Sequence, residues 1–381
     1  MAERVPVVRL AGFYLAYFAI LGILLPYWPL YLQQAGYDPA VIGLVMAVMP
    51  ATRIVSPAFW GWLADRTGHT LRLIRWTGFL AGATFALIVW RDRPLFWLLA
   101  TVLAFSFCWN ATLPLFEAVT LSHLARQLHR YSRVRLWGSI GFLLAVWGMG
   151  ELLDRLVPIG ALPWAIAGLL VGQWSVSLAV PPIRERHPMT ANVSLRAILR
   201  RGEVVGFFLS ASLLQMAHGP YYAFYSLHLE ALGFTDSEIG QLWALGVLAE
   251  IVLFSVLGRV HHYVGLRPLL LGSLALSGVR WLLIGWGGAR IGLLILAQLL
   301  HAASFGSAHA AAVQIVHRNF QGPHHAKGQA LYSSLAYGVG GAIGSLYSGL
   351  LWQGWGASWI FTSAAGISLL ALVAAWPRVG R

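Results

Sequence analysis

Apolar residues run along this chain in twelve stretches that are each long enough to cross a lipid bilayer. A spanning helix needs about 20 predominantly apolar residues, because it rises about 1.5 Å per residue and the hydrocarbon core is about 30 Å thick. The predicted spans, numbered 1 to 12 along the chain, lie near residues 8–32, 40–63, 71–90, 95–121, 134–153, 158–181, 203–229, 238–260, 268–287, 291–317, 328–352 and 357–376. The pattern therefore predicts an all-α membrane protein with twelve transmembrane helices.

The composition agrees with a protein whose solvent is a bilayer. Apolar residues make up 58% of the chain, charged residues make up 10%, and the mean hydropathy is +0.70. Soluble globular proteins carry about 25% charged residues, so a soluble enzyme, an RNA-binding module and a disordered tail are excluded. The single cysteine, Cys108, lies within an apolar stretch and offers neither a disulfide nor a thiolate metal site. We expect no cofactor and no bound metal.

The formal net charge of +13 could indicate a nucleic-acid partner, but the positions of the charges favour a membrane topology instead. If the N-terminus is cytoplasmic, 20 of the 26 Lys and Arg residues fall in cytoplasmic segments and four fall outside. This asymmetry follows the positive-inside rule, and it predicts that both termini are cytoplasmic. The first apolar stretch lacks a cleavage site and is interpreted as a retained span. The 25 arginines to one lysine are typical of a GC-rich bacterial genome. We expect a protein of the bacterial inner membrane and no nucleic-acid partner.

A polar stretch near the middle of the chain divides six spans from six. We therefore predict an N-terminal six-helix bundle over residues 1–181, a cytoplasmic linker over 182–202 and a C-terminal six-helix bundle over 203–381. An offset of 197 residues superposes nine identical residues within a 38-residue window, including Gly36 on Gly233 and Gly68 on Gly265. This similarity indicates an internal duplication. Two six-helix halves of the same orientation are typical of a large class of transporters, whose substrate site lies between the halves.

The loop between spans 2 and 3 carries a recognisable motif. Residues 61–68 read GWLADRTG, and this stretch resembles the loop signature of the major facilitator superfamily at Gly61, Asp65, Arg66 and Gly68. The basic pair that usually follows the second glycine is replaced by His-Thr. In the family this loop locks one face through contacts with helix ends, where a carboxylate is favoured near an N-terminus. The resemblance therefore implies that these four residues form a gating loop.

Four further stretches narrow the resemblance, which covers nearly the full length of the chain. They read PYWP from residue 26, YSRVRLWGS from residue 131, AHGPYY from residue 217 and GVRW from residue 278. The chain is similar to the phenylpropionate permease branch of the superfamily, which is related to lactose permease and to nucleoside:proton symporters. Because one chain contains both halves, we expect it to function as a monomer.

The resemblance to lactose permease implies roles for individual residues. Glu117 and Arg135 have the spacing of its sugar-binding Glu and Arg on spans 4 and 5, and Asn110 shares a helix face with Glu117. His301 falls where that permease has a functional histidine, and Arg280 falls near its span 9 arginine. The residue three positions after this histidine, where the family has its proton-carrying glutamate, is a serine here. Any proton must therefore be carried by another group.

Charged residues near the middle of spans 2 and 8 are candidates for carrying the proton. Arg53 and Glu250 are related by the 197-residue offset, and a charge at the bilayer centre costs roughly 2.5–3.5 kcal/mol, so such residues are usually paired or functional. We predict that Glu250 carries the proton, together with Arg280, His301 and His309, the two histidines lying on one face of span 10. A purely structural ion pair is the alternative interpretation.

The remaining polar residues within the spans are predicted to contact the solute. This substrate-binding set comprises Arg53, Asn110, Glu117, Arg135, Gln215 and His218. Hydrogen bonding between helices is the alternative explanation for Asn110 and Gln215. Small residues at four-residue spacing in span 11, from Gly338 to Gly349, predict close helix packing.

The sequence thus predicts a secondary transporter that couples protons to the import of a small organic solute by alternating access. The family branch implies an aromatic carboxylate such as 3-phenylpropionate, whereas the spacing of Glu117 and Arg135 favours a sugar. A proton-driven exporter of hydrophobic compounds is an alternative. A histidine-dependent membrane metalloenzyme is a remote one, suggested by the doublets His261-His262 and His324-His325. Neither doublet has carboxylate or histidine partners at helical spacing, so we do not expect an enzyme.

Overall fold

The computed structural model describes residues 5–89, 94–125, 127–182, 195–377 and 379. Most of the predicted linker, residues 183–194, lies outside the described residues, as do Arg91 and Arg93 of the charge pattern. The described part of the chain is helical and contains no β-strand. Its long helices are Val7–Gln34, Pro39–Thr52, Ser56–Thr67, Thr70–Ala86, Leu95–His123, Tyr131–Arg155, Leu162–Ala179, Gly202–Ala231, Asp236–Val264, Leu266–Trp286, Ile291–His301, Ser307–Asn319, His325–Tyr332 and Gly341–Ala375.

These helices form the twelve predicted spans. Ten described segments combine spanning length with high hydropathy, and one of these, His325–Ala375, is 51 residues long. Gly356 interrupts it with a left-handed φ of 72°, which divides it into spans 11 and 12. Span 7 is the 30-residue helix Gly202–Ala231, in which polar residues such as Gln215 and His218 lower the hydropathy. The prediction of an all-α, twelve-helix membrane protein is confirmed.

Three spans depart from a regular α-helix near their centres. Span 2 breaks after Thr52 and resumes at Ser56, between Pro50 and Pro57. Proline favours such a break because it removes a backbone hydrogen-bond donor and crowds the preceding turn. Spans 10 and 11 contain π-helical segments, Ala302–Gly306 and Ser333–Gly340. Such segments widen a helix by one residue per turn and are frequent at functional sites.

The described residues group into two compact units. The N-terminal unit comprises residues of 1–31 and 55–189. Within it, Gly22 of span 1 packs on span 5 so closely that a Cβ atom at this glycine would lie 2.6 Å from the carbonyl oxygen of Phe142. Aromatic rings fill the core, with Phe13 stacked on Phe116 at 3.7 Å and Tyr17 on Trp109 at 4.5 Å between ring centroids.

The C-terminal unit comprises residues of 32–54 and 190–381, and span 11 is its most tightly packed helix. On one face, Gly340 and Gly344 lie against backbone atoms of span 7. On another, a Cβ atom at Gly349 would lie 2.6 Å from the Cα atom of Gly43 in the first half of span 2. Only residues without a side chain allow helices to approach this closely, so the predicted close packing of span 11 is confirmed.

Loops related by the 197-residue offset adopt the same backbone conformation. Gly36 and Gly233 have φ angles of 87° and 89°, and Gly68 and Gly265 have φ angles of 65° and 74°. Residues with a Cβ atom rarely adopt this left-handed conformation, which explains why glycine stands at all four positions. The two short turns therefore have the same local geometry in both halves of the sequence.

Candidate functional site

A buried arginine occupies the centre of the C-terminal unit. Arg280 of span 9 has no exposed surface, and its Nε atom donates a hydrogen bond to the carbonyl oxygen of Ala297 at 3.0 Å. Its guanidinium carbon lies 4.2 Å from the ring centroid of Tyr221 and 4.6 Å from that of Trp281, as in cation–π contacts. Neither terminal nitrogen makes a hydrogen bond within the described part of the chain. The site therefore holds a cation with two donors available for an anion.

Other buried polar atoms around this arginine also lack hydrogen-bond partners among the described residues. They are Nε2 of His218, the hydroxyl of Tyr225, Nε2 of Gln298 and Nδ1 of His301. The opposite atoms of these groups are engaged, since Tyr221 donates to Oε1 of Gln298 at 3.0 Å and Nδ1 of His218 bonds the carbonyl oxygen of Leu214 at 2.8 Å. Buried polar atoms are nearly always paired in native proteins, so this cluster has the donors and acceptors of a binding site.

A carboxylate from span 8 lies next to this cluster. Oε2 of Glu250 is 3.9 Å from Nε2 of His301, and the side chains are only 16% and 8% exposed. The contact depends on Gly306 in the π-helical segment of span 10, where an added Cβ atom would lie 3.1 Å from Cγ of Glu250. The structure thus brings two of the predicted proton-coupling residues within 3.9 Å of each other, with the buried guanidinium of span 9 in the same bundle.

His309, the fourth predicted proton-coupling residue, belongs to a neighbouring group. Its Nδ1 atom is 2.9 Å from the hydroxyl of Tyr337 and 3.3 Å from that of Tyr332. The π-helical segment of span 11 carries Tyr337, and both Arg53 and Glu250 interact electrostatically with its hydroxyl group. Arg53 caps the first half of span 2, which belongs to the same unit.

The predicted substrate residues on span 7 border this second group. A small cavity in the C-terminal unit is lined by Gln215, His309, Tyr332, Phe305 and Ser210, together with apolar side chains. His218 contacts the ring of Trp281 edge-on at 4.8 Å between centroids. Both span 7 residues therefore lie in the polar interior of the C-terminal bundle.

In the N-terminal unit, the structure joins Glu117 and Arg135 in an ion pair. Oε1 of Glu117 is 3.5 Å from Nε of Arg135, and Tyr131 donates a hydrogen bond to the same carboxylate oxygen at 3.5 Å. The guanidinium carbon lies 4.3 Å from the ring centroid of Phe18. The two side chains are 35% and 33% exposed. Asn110, which precedes Glu117 by about two turns of span 4, is buried.

The predicted gating loop ends the second half of span 2. Gly68 terminates that helix in a left-handed conformation, and Asp65 and Arg66 are exposed in its last turn. Gly61 has open space where a side chain would be. The guanidinium of Arg66 lies 5.5 Å from the ring centroid of Trp62.

The histidine doublets form no metal centre in the described part of the chain. No group of three or more His, Cys, Asp or Glu residues there lies close enough to hold a metal ion. The side chains of His261 and His262 are outside the described residues.

The sequence interpretation did not single out the aromatic residues of the C-terminal cluster. Tyr221, Tyr225 and Trp281 contact or surround the arginine, and Tyr332 and Tyr337 contact His309. Two of the stretches that carry the family resemblance, AHGPYY and GVRW, contain the first and third of these rings. Tyr332 and Tyr337 of span 11 stand among glycine, alanine and serine residues, as in ordinary helix packing. Their contact with His309 is therefore visible only in the fold.

The chain is similar to a known family of proteins. The model of the MFS_1 like family matches residues 7–363. The chain is 31% identical over 359 residues to the Escherichia coli K12 protein named "Probable 3-phenylpropionic acid transporter", covering 92% of this chain and 93% of that one. It is 27% identical over 373 residues to a maltose permease of Geobacillus stearothermophilus, covering 95% and 93%.

Solved structures share the fold at lower identity. The crystal structure of the nucleoside transporter NupG superposes with a TM-score of 0.84 at 17% identity, covering 97% of each chain. The POT family transporter PepTSo superposes with a TM-score of 0.78 at 12% identity, covering 96% of each. The chain therefore belongs to the MFS_1 like family of the major facilitator superfamily, and it is a multi-pass membrane transporter, not an enzyme.

Proposed function

We propose that the protein is a proton-coupled symporter that imports a small organic anion across the bacterial inner membrane, as a monomer with both termini in the cytoplasm. The observation that carries this proposal is the fully buried Arg280, whose two terminal nitrogens have no hydrogen-bond partner among the described residues, in the same bundle as the close contact between Glu250 and His301. An uncompensated buried charge is costly, so it is retained where a ligand supplies the opposite charge.

Proton coupling follows from the charge on Glu250. With a proton on this carboxylate and an anionic solute on Arg280, the cluster gains no net charge relative to its empty, ionised form. Loss of the proton in the presence of solute leaves an excess negative charge in a low-dielectric interior, which disfavours the conformational change. The loaded, protonated form is therefore the one that changes its accessible side, as alternating access requires.

A carboxylate is the anion that this arginine suits. A planar guanidinium presents parallel N–H groups that match both oxygens of a carboxylate, and neighbouring tyrosine and tryptophan rings suit an aromatic body. A relative at 31% identity is named for 3-phenylpropionic acid, which supports an aromatic monocarboxylate.

A sugar is the second candidate. The ion pair of Glu117 and Arg135 offers acceptors and donors to hydroxyl groups, with the ring of Phe18 beside it. A relative named as a maltose permease at 27% identity supports this alternative. In that case the solute would bind in the N-terminal unit, and Arg280 would act only in proton coupling.

Uptake into right-side-out vesicles distinguishes these proposals. Labelled 3-phenylpropionate, maltose and lactose are added separately to vesicles with and without the protein, in the presence and absence of a protonophore. We expect protonophore-sensitive accumulation of the acid only. Accumulation of a sugar would move the solute site to Glu117 and Arg135, and accumulation that is stronger in inverted vesicles would indicate export. Uptake of the acid that a protonophore leaves unchanged would contradict proton coupling.

A further inference from the structure

A buried histidine of span 7 presents a hydrogen-bond acceptor that no described residue satisfies. The Nδ1 atom of His218 lies 2.8 Å from the carbonyl oxygen of Leu214. A carbonyl oxygen can only accept a hydrogen bond, so Nδ1 carries the proton. In a neutral imidazole the other nitrogen, Nε2, is then an acceptor. This Nε2 atom is buried and has no hydrogen-bond partner in the described part of the chain.

The neighbouring arginine favours the neutral form of this imidazole. Arg280 interacts electrostatically with His218, and neither side chain has exposed surface. Both groups border one indole ring, since the guanidinium carbon lies 4.6 Å and the imidazole centroid 4.8 Å from the ring centroid of Trp281. A second positive charge in such a buried site is costly. His218 therefore offers an acceptor at Nε2 and not a second donor.

The unpaired atoms of this site thus have two kinds of hydrogen-bonding character. The terminal nitrogens of Arg280 and Nε2 of Gln298 are donors, whereas Nε2 of His218 is an acceptor. An ionised carboxylate has only acceptor oxygens, so it satisfies the donors and not the histidine. A solute whose only polar group is a carboxylate, such as 3-phenylpropionate, leaves this acceptor unpaired. A buried acceptor without a donor lowers affinity by roughly 5- to 150-fold relative to a ligand that satisfies it.

We propose that the solute carries a hydroxyl group in addition to its carboxylate, and that His218 determines specificity by accepting a hydrogen bond from this hydroxyl. The inference rests on the proposed anion site at Arg280 and names the solute class as hydroxyaryl carboxylates. The carboxylate binds the guanidinium, and a phenolic O–H donates to Nε2 of the histidine. An ammonium group is disfavoured as the donor, because it places a second positive charge beside the buried arginine.

The surroundings of the histidine favour a phenol over an aliphatic alcohol. The imidazole of His218 meets Trp281 edge-on, and the rings of Tyr222 and Phe305 lie 6.0 Å and 5.5 Å from it between centroids. Aromatic rings gain from edge-on and offset contacts with one another. Leu214 and Phe305 also line the small cavity of the C-terminal unit, so this cavity is adjacent to residues that contact the histidine. A phenol supplies the ring and the donor in one group.

Calorimetric binding of substituted acids to the purified protein tests this inference. The meta- and para-hydroxy derivatives of 3-phenylpropionate are compared with the unsubstituted acid, which lacks the donor. The matching methoxy derivatives keep the oxygen atom but cannot donate. We expect one hydroxy derivative to bind roughly 5- to 150-fold more tightly than the unsubstituted acid, and the methoxy derivatives to bind no more tightly than it. L-Phenylalanine, which carries an ammonium group, should bind more weakly.

Two histidine variants of span 7 separate recognition of the hydroxyl from general damage. His218→Phe keeps an aromatic ring and removes the acceptor, so the preference for the hydroxy derivative should disappear while the unsubstituted acid still binds. His228→Phe is the matched control, because Nε2 of this second buried histidine bonds the carbonyl oxygen of Ile284 about three helical turns away. The preference should remain in this control. Thermal unfolding in detergent shows whether both variants are folded.

The outcomes distinguish this inference from the proposed function. Equal binding of the hydroxylated and unsubstituted acids by the wild-type protein overturns the hydroxyl assignment and leaves the anion site standing. A preference that survives in His218→Phe, or tighter binding of L-phenylalanine, also overturns it. Failure of every acid to bind would refute the proposed anion transport itself. If His218→Phe does not fold, the hydroxy and methoxy derivatives still decide the question in the wild-type protein.

Discussion

The charged groups of the two units differ in how they are neutralised. In the N-terminal unit, Glu117 and Arg135 neutralise each other at 3.5 Å and remain about one third exposed. In the C-terminal unit, Arg280 is fully buried and its two terminal nitrogens have no hydrogen-bond partner in the described part of the chain, while Glu250 lies beside His301. A self-compensated, partly exposed pair is inexpensive and needs no ligand, whereas an uncompensated buried cation does. This contrast is the reason for proposing that proton coupling and binding of the solute's anionic group both belong to the C-terminal unit.

The largest effect is expected at the buried arginine. Arg280→Gln removes the charge that a carboxylate would bind, and hydrogen bonds to charged groups contribute about 1.5–3 kcal/mol, so affinity for 3-phenylpropionate should fall by about 10- to 100-fold. Arg280→Lys keeps the charge and loses the planar fork, and it should show a smaller loss. The measurement is the dissociation constant of the acid and of its neutral amide by calorimetry. Equal binding of the acid by the wild-type protein and Arg280→Gln would contradict the assignment.

Close packing of span 11 supports the C-terminal cluster, because this span carries Tyr337. A Cβ atom at Gly43 would lie 2.6 Å from the Cα atom of Gly349, so Gly43→Ala should destabilise the protein by roughly 1–3 kcal/mol and lower uptake. Gly148→Ala is the control, since this helical glycine has open space around it and alanine should be neutral or stabilising there. Thermal unfolding in detergent measures both variants. A Gly43→Ala protein as stable as Gly148→Ala would show that spans 2 and 11 can move apart without loss of stability, which contradicts the close packing.

Arginines that bind the C-terminal ends of spans 6 and 12 offer a smaller contrast. Arg75 donates hydrogen bonds to the carbonyl oxygens of Ser177, Leu178 and Val180 at the end of span 6, whereas Arg267 donates one to Trp376 at the end of span 12. Carbonyl groups in the last turn of a helix lack the N–H partner four residues on, so an arginine donor can satisfy them. We expect Arg75→Ala to cost about 2 kcal/mol and Arg267→Ala about 1 kcal/mol, on the scale of bonds to charged groups. Chemical denaturation followed by circular dichroism compares them, and the reverse order would contradict this account of the helix ends.

The smallest effect is expected at the N-terminal ion pair. Partly exposed pairs contribute about 0–1 kcal/mol, so Glu117→Gln should change the free energy of unfolding by less than about 1 kcal/mol and the affinity for 3-phenylpropionate by less than about fivefold. Arg135→Gln provides the matched loss of the partner. Binding of the acid is measured as for Arg280. A loss of acid binding in Arg135→Gln as large as in Arg280→Gln would place the carboxylate in the N-terminal unit and reverse the comparison.

The sequence supported the fold more fully than the site, for a physical reason. Span positions follow from the length of apolar stretches. The break in span 2 was not predicted, although Pro50 and Pro57 stand on either side of it. The identity of Glu250 and His301 as unusual intramembrane residues was also readable. Their contact was not, because it depends on which helices are neighbours and on the glycine in span 10 that lets them approach.

The π-helical segments mark the limit of sequence-based prediction in this chain. Tyr337 stands in a glycine-rich stretch that indicates close packing, and Phe305 is one apolar residue among many in span 10. Their placement beside His309 results from an extra residue in a helical turn, which tertiary packing selects and local sequence does not specify.

The central claim is that Glu250 carries the coupling proton, and Glu250→Gln tests it most directly. In vesicles, this variant should exchange labelled for unlabelled 3-phenylpropionate but should not accumulate it against a gradient, because the neutral amide mimics the protonated form and releases no proton. Glu151→Gln is the control, since this carboxylate pairs with Arg155 at 3.0 Å one helical turn away. Accumulation by Glu250→Gln that equals the wild-type level and is abolished by a protonophore would contradict the account.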